Sequence, residues 1–143
     1  MTDLLLDTPA VSAAMAGDEQ LDAFLGKLEP RTEIFTSVIV EGEVRFGLSR
    51  LAEGHRKENL TSAFEDVIST LHDILPASRD IAKDYGRLKA LLWDSGTPIG
   101  ENDIWIAATA RVRGLRVLTS DPDFGAIPDL SVASWSETNT VSR

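Results

Sequence analysis

Residues 98–124 read PIGENDIWIAATARVRGLRVLTSDPDF, and the punctuation of this stretch decides the fold. Asn102 stands where it can cap the N–H groups that a helix's first turn leaves unpaired. Ile104 to Val112 is rich in alanine and apolar residues, and Gly114 supplies a left-handed stop. Arg116-Val117-Leu118-Thr119 then predicts a short strand, and Ser120-Asp121-Pro122-Asp123 a turn leaving its carboxyl end. Asp103 shares a stripe with Ala107, Ala110 and Gly114, residues small enough to let the helix lie close against a sheet. A carboxylate heading such a face is costly unless something partners it. In open parallel sheets the carboxyl edge is also where ligands bind.

Working outward, the same alternation recurs. Before the stretch, Asp73-Ile74-Leu75-Pro76 predicts a strand and Ser78 caps a helix running to about Trp93. Further upstream, Ile34-Phe35-Thr36 predicts a strand followed by a Ser37-capped helix whose stripe is Val40, Val44, Leu48 and Leu51. Gly54 breaks that helix, and a second one over about 57–71 returns antiparallel to it. The chain opens with Asp3-Leu4-Leu5-Leu6-Asp7, too brief an apolar run for a helix and therefore a buried strand. Helices over 10–16 and 19–28 follow, the second capped by Asp18. Beyond the stretch, Leu130 to Trp135 predicts a last strand. Strands alternating with helices point to an α/β fold with a parallel sheet covered on both faces. Residues 1–136 are expected to form one domain, with 137–143 a polar tail.

Composition narrows the function. With 143 residues, 43% of them hydrophobic, the chain can bury a core as one domain. It holds no apolar run near the roughly 18 residues of a membrane span. It has no cysteine, so disulfides and thiolate metal sites are excluded, and no signal peptide opens it; a cytoplasmic protein is expected. The net charge of −9 excludes gripping nucleic acid by broad neutralisation. Any such contact must be local and helped by cations.

Four acids are candidates for a site: Asp7 at the end of the first strand, Glu43 in the helix after the second, Asp103 at the start of a helix, and Asp121 after the strand that follows. A parallel sheet lets all four converge at its carboxyl edge, where they repel and raise one another's pKa unless a cation neutralises them. An all-oxygen site suits magnesium or manganese, and one or two such ions can activate water for phosphodiester cleavage. Each acid also has a local role open to it. Asp7 can cap a helix, Asp103 can favour a helix's positive end, Asp121 can form a turn, and Glu43 can be a solvated rim residue.

Other residues offer less. His55 and His72 lack any paired-ligand spacing and read as structural or surface residues. Trp93, Trp105 and Trp135 read as core or interface. Arg45, Arg50, Arg56 and Lys57 read as a solvated face and, if the acids form a catalytic site, are the best candidates for contacts to a nucleic-acid backbone. Gly96 to Gly100 matches neither a P-loop nor a dinucleotide fingerprint.

Leu5-Leu6-Asp7-Thr8, Glu43-Val44-Arg45-Phe46-Gly47, Gly100-Glu101-Asn102-Asp103 running into Ile104-Trp105-Ile106-Ala107-Ala108, and Val117-Leu118-Thr119-Ser120-Asp121 with Asp123-Phe124 together resemble a PIN-domain protein. More narrowly, the chain resembles a VapC-type toxin of a toxin–antitoxin pair. The resemblance implies a three-layer α/β/α sandwich with a central parallel β-sheet, and an endoribonuclease dependent on Mg2+ or Mn2+. It implies that Asp7, Glu43, Asp103 and Asp121 are the catalytic, metal-binding acids, with Asp123 the alternative to Asp121 and Thr119 a supporting hydroxyl. Pro9 stands where asparagine is often found, so a hydrogen bond beside Asp7 is expected to be missing. That departure favours an alternative, a catalytically inactive PIN-like interaction protein. A phosphoacceptor domain fits poorly, because Asp7 lacks an adjacent acidic pair. The expected partners are an RNA substrate, a VapB-like antitoxin whose tail delivers an arginine to the acids, and a second copy of the chain docked through the hairpin carrying Phe46 and Phe64.

Overall fold

The computed structural model describes residues 2–136, so the tail at 137–143 lies outside the described residues. Five strands, β1 (Leu4–Leu6), β2 (Ile34–Ser37), β3 (Asp73–Leu75), β4 (Arg116–Leu118) and β5 (Val132–Ala133), form one sheet in the order β3-β2-β1-β4-β5. Every pairing is parallel. Six helices flank the sheet: α1 (Thr8–Met15), α2 (Glu19–Gly26), α3 (Val38–Ser49), α4 (His55–Thr70), α5 (Arg79–Asp94) and α6 (Glu101–Arg113). This is the expected three-layer α/β/α sandwich.

The central strand explains why its sequence is continuously apolar. With helices on both faces, neither side of β1 meets water, and Leu4, Leu5 and Leu6 are all buried. Each contributes about 1.5–3 kcal/mol of transfer free energy. The α6 stripe behaves as its small residues predict, with Ala107, Ala108 and Ala110 wholly buried and Gly114 left-handed at φ 67°.

Several boundaries move for local reasons. Helix α1 begins at Thr8 rather than Ala10, because Asp7 accepts a hydrogen bond from the Ala10 amide at 2.9 Å and Pro9 fits the first turn. The cap of α6 is Gly100, without any side-chain cap bond, and not Asn102 as expected. The last strand shortens to Val132–Ala133. In α3, Val40, Val44 and Leu48 are buried, but Phe64 of α4 is also fully buried and so offers nothing to a second copy. Among the described residues no helix is long and apolar enough to cross a membrane.

Candidate active site

Asp7 directly follows β1 and is fully buried. Its Oδ1 caps α1, while its Oδ2, among the described residues, has no hydrogen-bond partner. Capping therefore uses only one of its oxygens and leaves the other to be accounted for. Burial is the main force pushing this carboxyl up to about 6. The Thr119 hydroxyl and the Ala10 amide oppose that rise, and the charges of Asp103 and Asp121 add to it. Thr119 stands near enough to favour the ionised form, yet makes no regular hydrogen bond to Oδ2.

Glu43 lies in the second turn of α3 and is held at both oxygens. Thr8 Oγ1 donates to Oε1, and Asn102 Nδ2 donates to Oε2 at 3.1 Å. Three helices thus meet at this carboxylate. Asn102 was expected as a cap; helix α6 instead begins early enough to turn its amide onto Glu43. Both supporting residues escaped sequence reasoning, because nothing local marks a contact between residues 35 or 59 positions apart.

Asp103 sits half-buried in the first turn of α6, and its carboxyl is pushed up to about 6, first by burial and then by the charges of Asp121, Glu43 and Asp123. Asp121 leaves β4 and accepts from the Asp123 amide at 2.9 Å, while its own N–H donates to Thr119 Oγ1 at 2.9 Å. The turn-forming and site-forming readings of Asp121 are therefore compatible. Asp123 is exposed at the rim. Pro9 is exposed too, and the cap it cannot serve is completed by Ala10.

The fold thus brings all four predicted acids into one electrostatic neighbourhood with Asp103 in the middle. Their side chains stand apart: among the described residues, no three His, Cys, Asp or Glu side chains close around one point as ligands of an ion do. Mutual repulsion favours such spacing. The donor chemistry nevertheless fits a hard divalent cation, because the neighbourhood is all oxygen and Asp7 Oδ2 is a buried acceptor without a donor.

Grooves adjoin the acids. One, about 370 Å³, runs between α1, α3 and α4 past Met15, Val44, Leu51 and Leu60 to Glu43. A second, about 610 Å³, lies on the other flank of Glu43 beside Asn102 and Phe46. A third, also about 610 Å³, passes Asp121 between Phe24 and Arg116. The remaining residues settle into ordinary roles. His55 and His72 are exposed beside Glu58 and Glu33. Trp135 is buried and Trp105 stacks on Tyr85, whereas Trp93 is 78% exposed and so lies outside this chain's core. Arg45 and Lys57 are paired with glutamates.

Comparison with known proteins gives a consistent picture. The chain is 34% identical over 123 residues to Ribonuclease VapC5 of Mycobacterium tuberculosis, a match covering 86% of each. The crystal structure of VapBC2 from Rickettsia felis bound to a DNA fragment from their promoter superposes with a TM-score of 0.84 at 27% identity, covering 93% of this chain and 98% of the other. The crystal structure of VapBC-5 from Mycobacterium tuberculosis, a member of the VapBC family of toxin–antitoxin systems, matches with a TM-score of 0.72 at 31% identity, covering 94% and 98%. The sequence pattern of the PIN domain matches residues 4–130, and the chain belongs to the PIN-domain family.

Proposed function

We propose that the chain is the endoribonuclease toxin of a toxin–antitoxin pair, cutting RNA with Asp7, Glu43, Asp103 and Asp121 around Mg2+ or Mn2+. The observation that carries this reading is the buried Oδ2 of Asp7, without a hydrogen-bond partner among the described residues and in the same field as Asp103 and Asp121. A buried carboxylate that by itself costs stability is explained if a cation completes it. The relatives' names support the RNA substrate and the paired partner.

The chain's own residues supply position and charge. Thr8 and Asn102 fix Glu43 at both oxygens, so its charge is held in one place rather than swept through solvent. Asp7 and Asp103, lifted to about 6, are mostly ionised at neutral pH and ready to accept a cation. A bound divalent ion would lower the pKa of a water and stabilise the charge that builds on the cleaved phosphate. Thr119 fixes the Asp121 turn through its hydroxyl.

The antitoxin is a VapB-like protein whose basic tail lies in the groove between α1, α3 and α4 and brings an arginine to Glu43. A guanidinium can use the second lone pair that each Glu43 oxygen keeps beside its Thr8 or Asn102 bond, and the charge of −9 draws a basic segment in. The protein works in the cytoplasm, where RNA and antitoxin are made, and pairs with a second copy. The exposed Leu91 and Trp93 of α5 offer apolar surface for that pairing, now that Phe64 is committed to the core. The decisive experiment incubates purified protein with short RNAs and Mg2+ or Mn2+. Asp103→Asn should remain folded and lose cleavage by orders of magnitude; undiminished cleavage by this variant, or full activity in excess chelator, rejects the site.

A further inference from the structure

Helix α3 has a second face that the core does not use. Val38, Gly42 and Phe46 recur every four residues and are all exposed, Val38 at 40% and Phe46 at 65%. They line the groove of about 610 Å³ that ends at Glu43 and Asn102. That volume lies within the roughly 300–1,000 Å³ of small-ligand sites. The space over Gly42 is open, since a Cβ there would meet nothing within 4 Å. The Arg50 guanidinium lies 5.7 Å from the centre of the Phe46 ring. Arg45, Lys57, Lys89 and Arg111 are tied to carboxylates, whereas Arg50, among the described residues, engages only this ring. A solvent-facing aromatic ring in a groove that ends at Glu43, with an unpaired cation beside the ring, suits a flat, π-faced group carrying a negative charge.

Resting on the ribonuclease reading above, we propose that this groove is a base subsite, in which an unpaired RNA base next to the cleaved phosphate stacks on Phe46 over Gly42 while Arg50 meets the flanking phosphate. An RNA base outside a duplex offers the faces that such a ring takes. The apolar groove on the other flank of α3 leaves the antitoxin tail its own place, so Glu43 and Thr8 stand between inhibitor and substrate. Phe46 thereby contributes to which nucleotide is cut, and it does so without touching the cation.

Cleavage kinetics of short single-stranded RNAs test this. Phe46→Ala should raise KM about tenfold, as losing one stacked base does, with kcat changed by less than about twofold. Phe46→Trp should restore KM. Gly42→Leu, which adds bulk into open space on a helix and so should fold, should raise KM too. An oligonucleotide series lacking one base at a time should show one position where the wild type loses the same factor and Phe46→Ala loses nothing further. Unchanged KM in Phe46→Ala while the wild type cleaves overturns the subsite alone. So does a Phe46→Ala chain whose mass halves in light scattering, or one that no longer captures the antitoxin, for the ring is then a protein contact. A wild type that cleaves no RNA with either ion overturns the ribonuclease reading and this inference with it.

Discussion

Asp7→Asn separates folding from chemistry at one atom. Asparagine caps a helix as well as aspartate does, so Oδ1 can keep accepting from the Ala10 amide. What disappears is the buried charge on Oδ2. The Asp7 carboxyl is lifted from 3.8 to about 6, which at 1.36 kcal/mol per pH unit makes its ionised form about 3 kcal/mol less stable in the fold than in the unfolded chain. A raised carboxyl holds its proton longer in the folded state, so its stability is fully present below pH 3.8 and is lost as pH climbs through about 6. Urea denaturation in chelator should therefore find Asp7→Asn and the parent equal near pH 4 and the variant about 2–3 kcal/mol more stable near pH 7.5. Adding Mg2+ or Mn2+ should stabilise the parent by mass action and narrow the gap, while the variant cleaves nothing. A variant less stable than the parent at pH 7.5, or a gap that does not change with pH, would refute the account of Oδ2 as a buried, uncompensated charge.

Cleavage and metal affinity should fall together below pH 6, since Asp7 and Asp103, both lifted to about 6, then take up protons. Ion titration followed by tryptophan fluorescence should show about a tenfold loss per pH unit for each proton taken up. Thr8→Val keeps the shape of the side chain but removes the donor to Glu43 Oε1; it should cost about 1 kcal/mol and lower turnover while leaving the secondary structure seen by circular dichroism unchanged. Arg111→Met should destabilise by about 3 kcal/mol in the same urea assay, because it leaves the buried Asp84 only the more distant Arg87, at 3.7 Å, and frees the Pro128 carbonyl. Pairing it with Asp84→Leu should recover most of that loss.

The layered fold was legible because β1 is apolar at every position while α6 carries small residues on one stripe. Those two patterns follow from burial on both faces and from close helix–sheet approach, which act through neighbours in sequence. That the four candidate acids would lie near one another was legible from the elements that carry them, and their charges reach one another in the fold. Strand order was not legible, since nothing in Leu4-Leu5-Leu6 says which strands will lie on either side of it. Nor was the support of Glu43. Asn102 is a sound cap by local chemistry, and only the approach of α3 to α6 turns it to another use. The Phe46 and Phe64 side chains differ for the same reason: similar residues on one hairpin, one wholly buried and one facing solvent, are sorted by which elements arrive to cover them.

The place of β1 in the sheet also sets a clock. The first of the five strands in sequence order becomes the middle strand of the finished sheet, with Leu5 beside Phe35 on one side and Val117 on the other. One neighbour, β2, is made soon after it, and the other, β4, only after β3 and helices α3 to α6. Residues 7 and 121 cannot share a field until β4 has docked, and at about 5–20 residues per second that takes roughly 6–23 s of translation. Throughout that interval the growing chain carries Asp7 without its partners. The order of strands thus keeps Asp7 and Asp121 apart until β4 has been made and has docked beside β1.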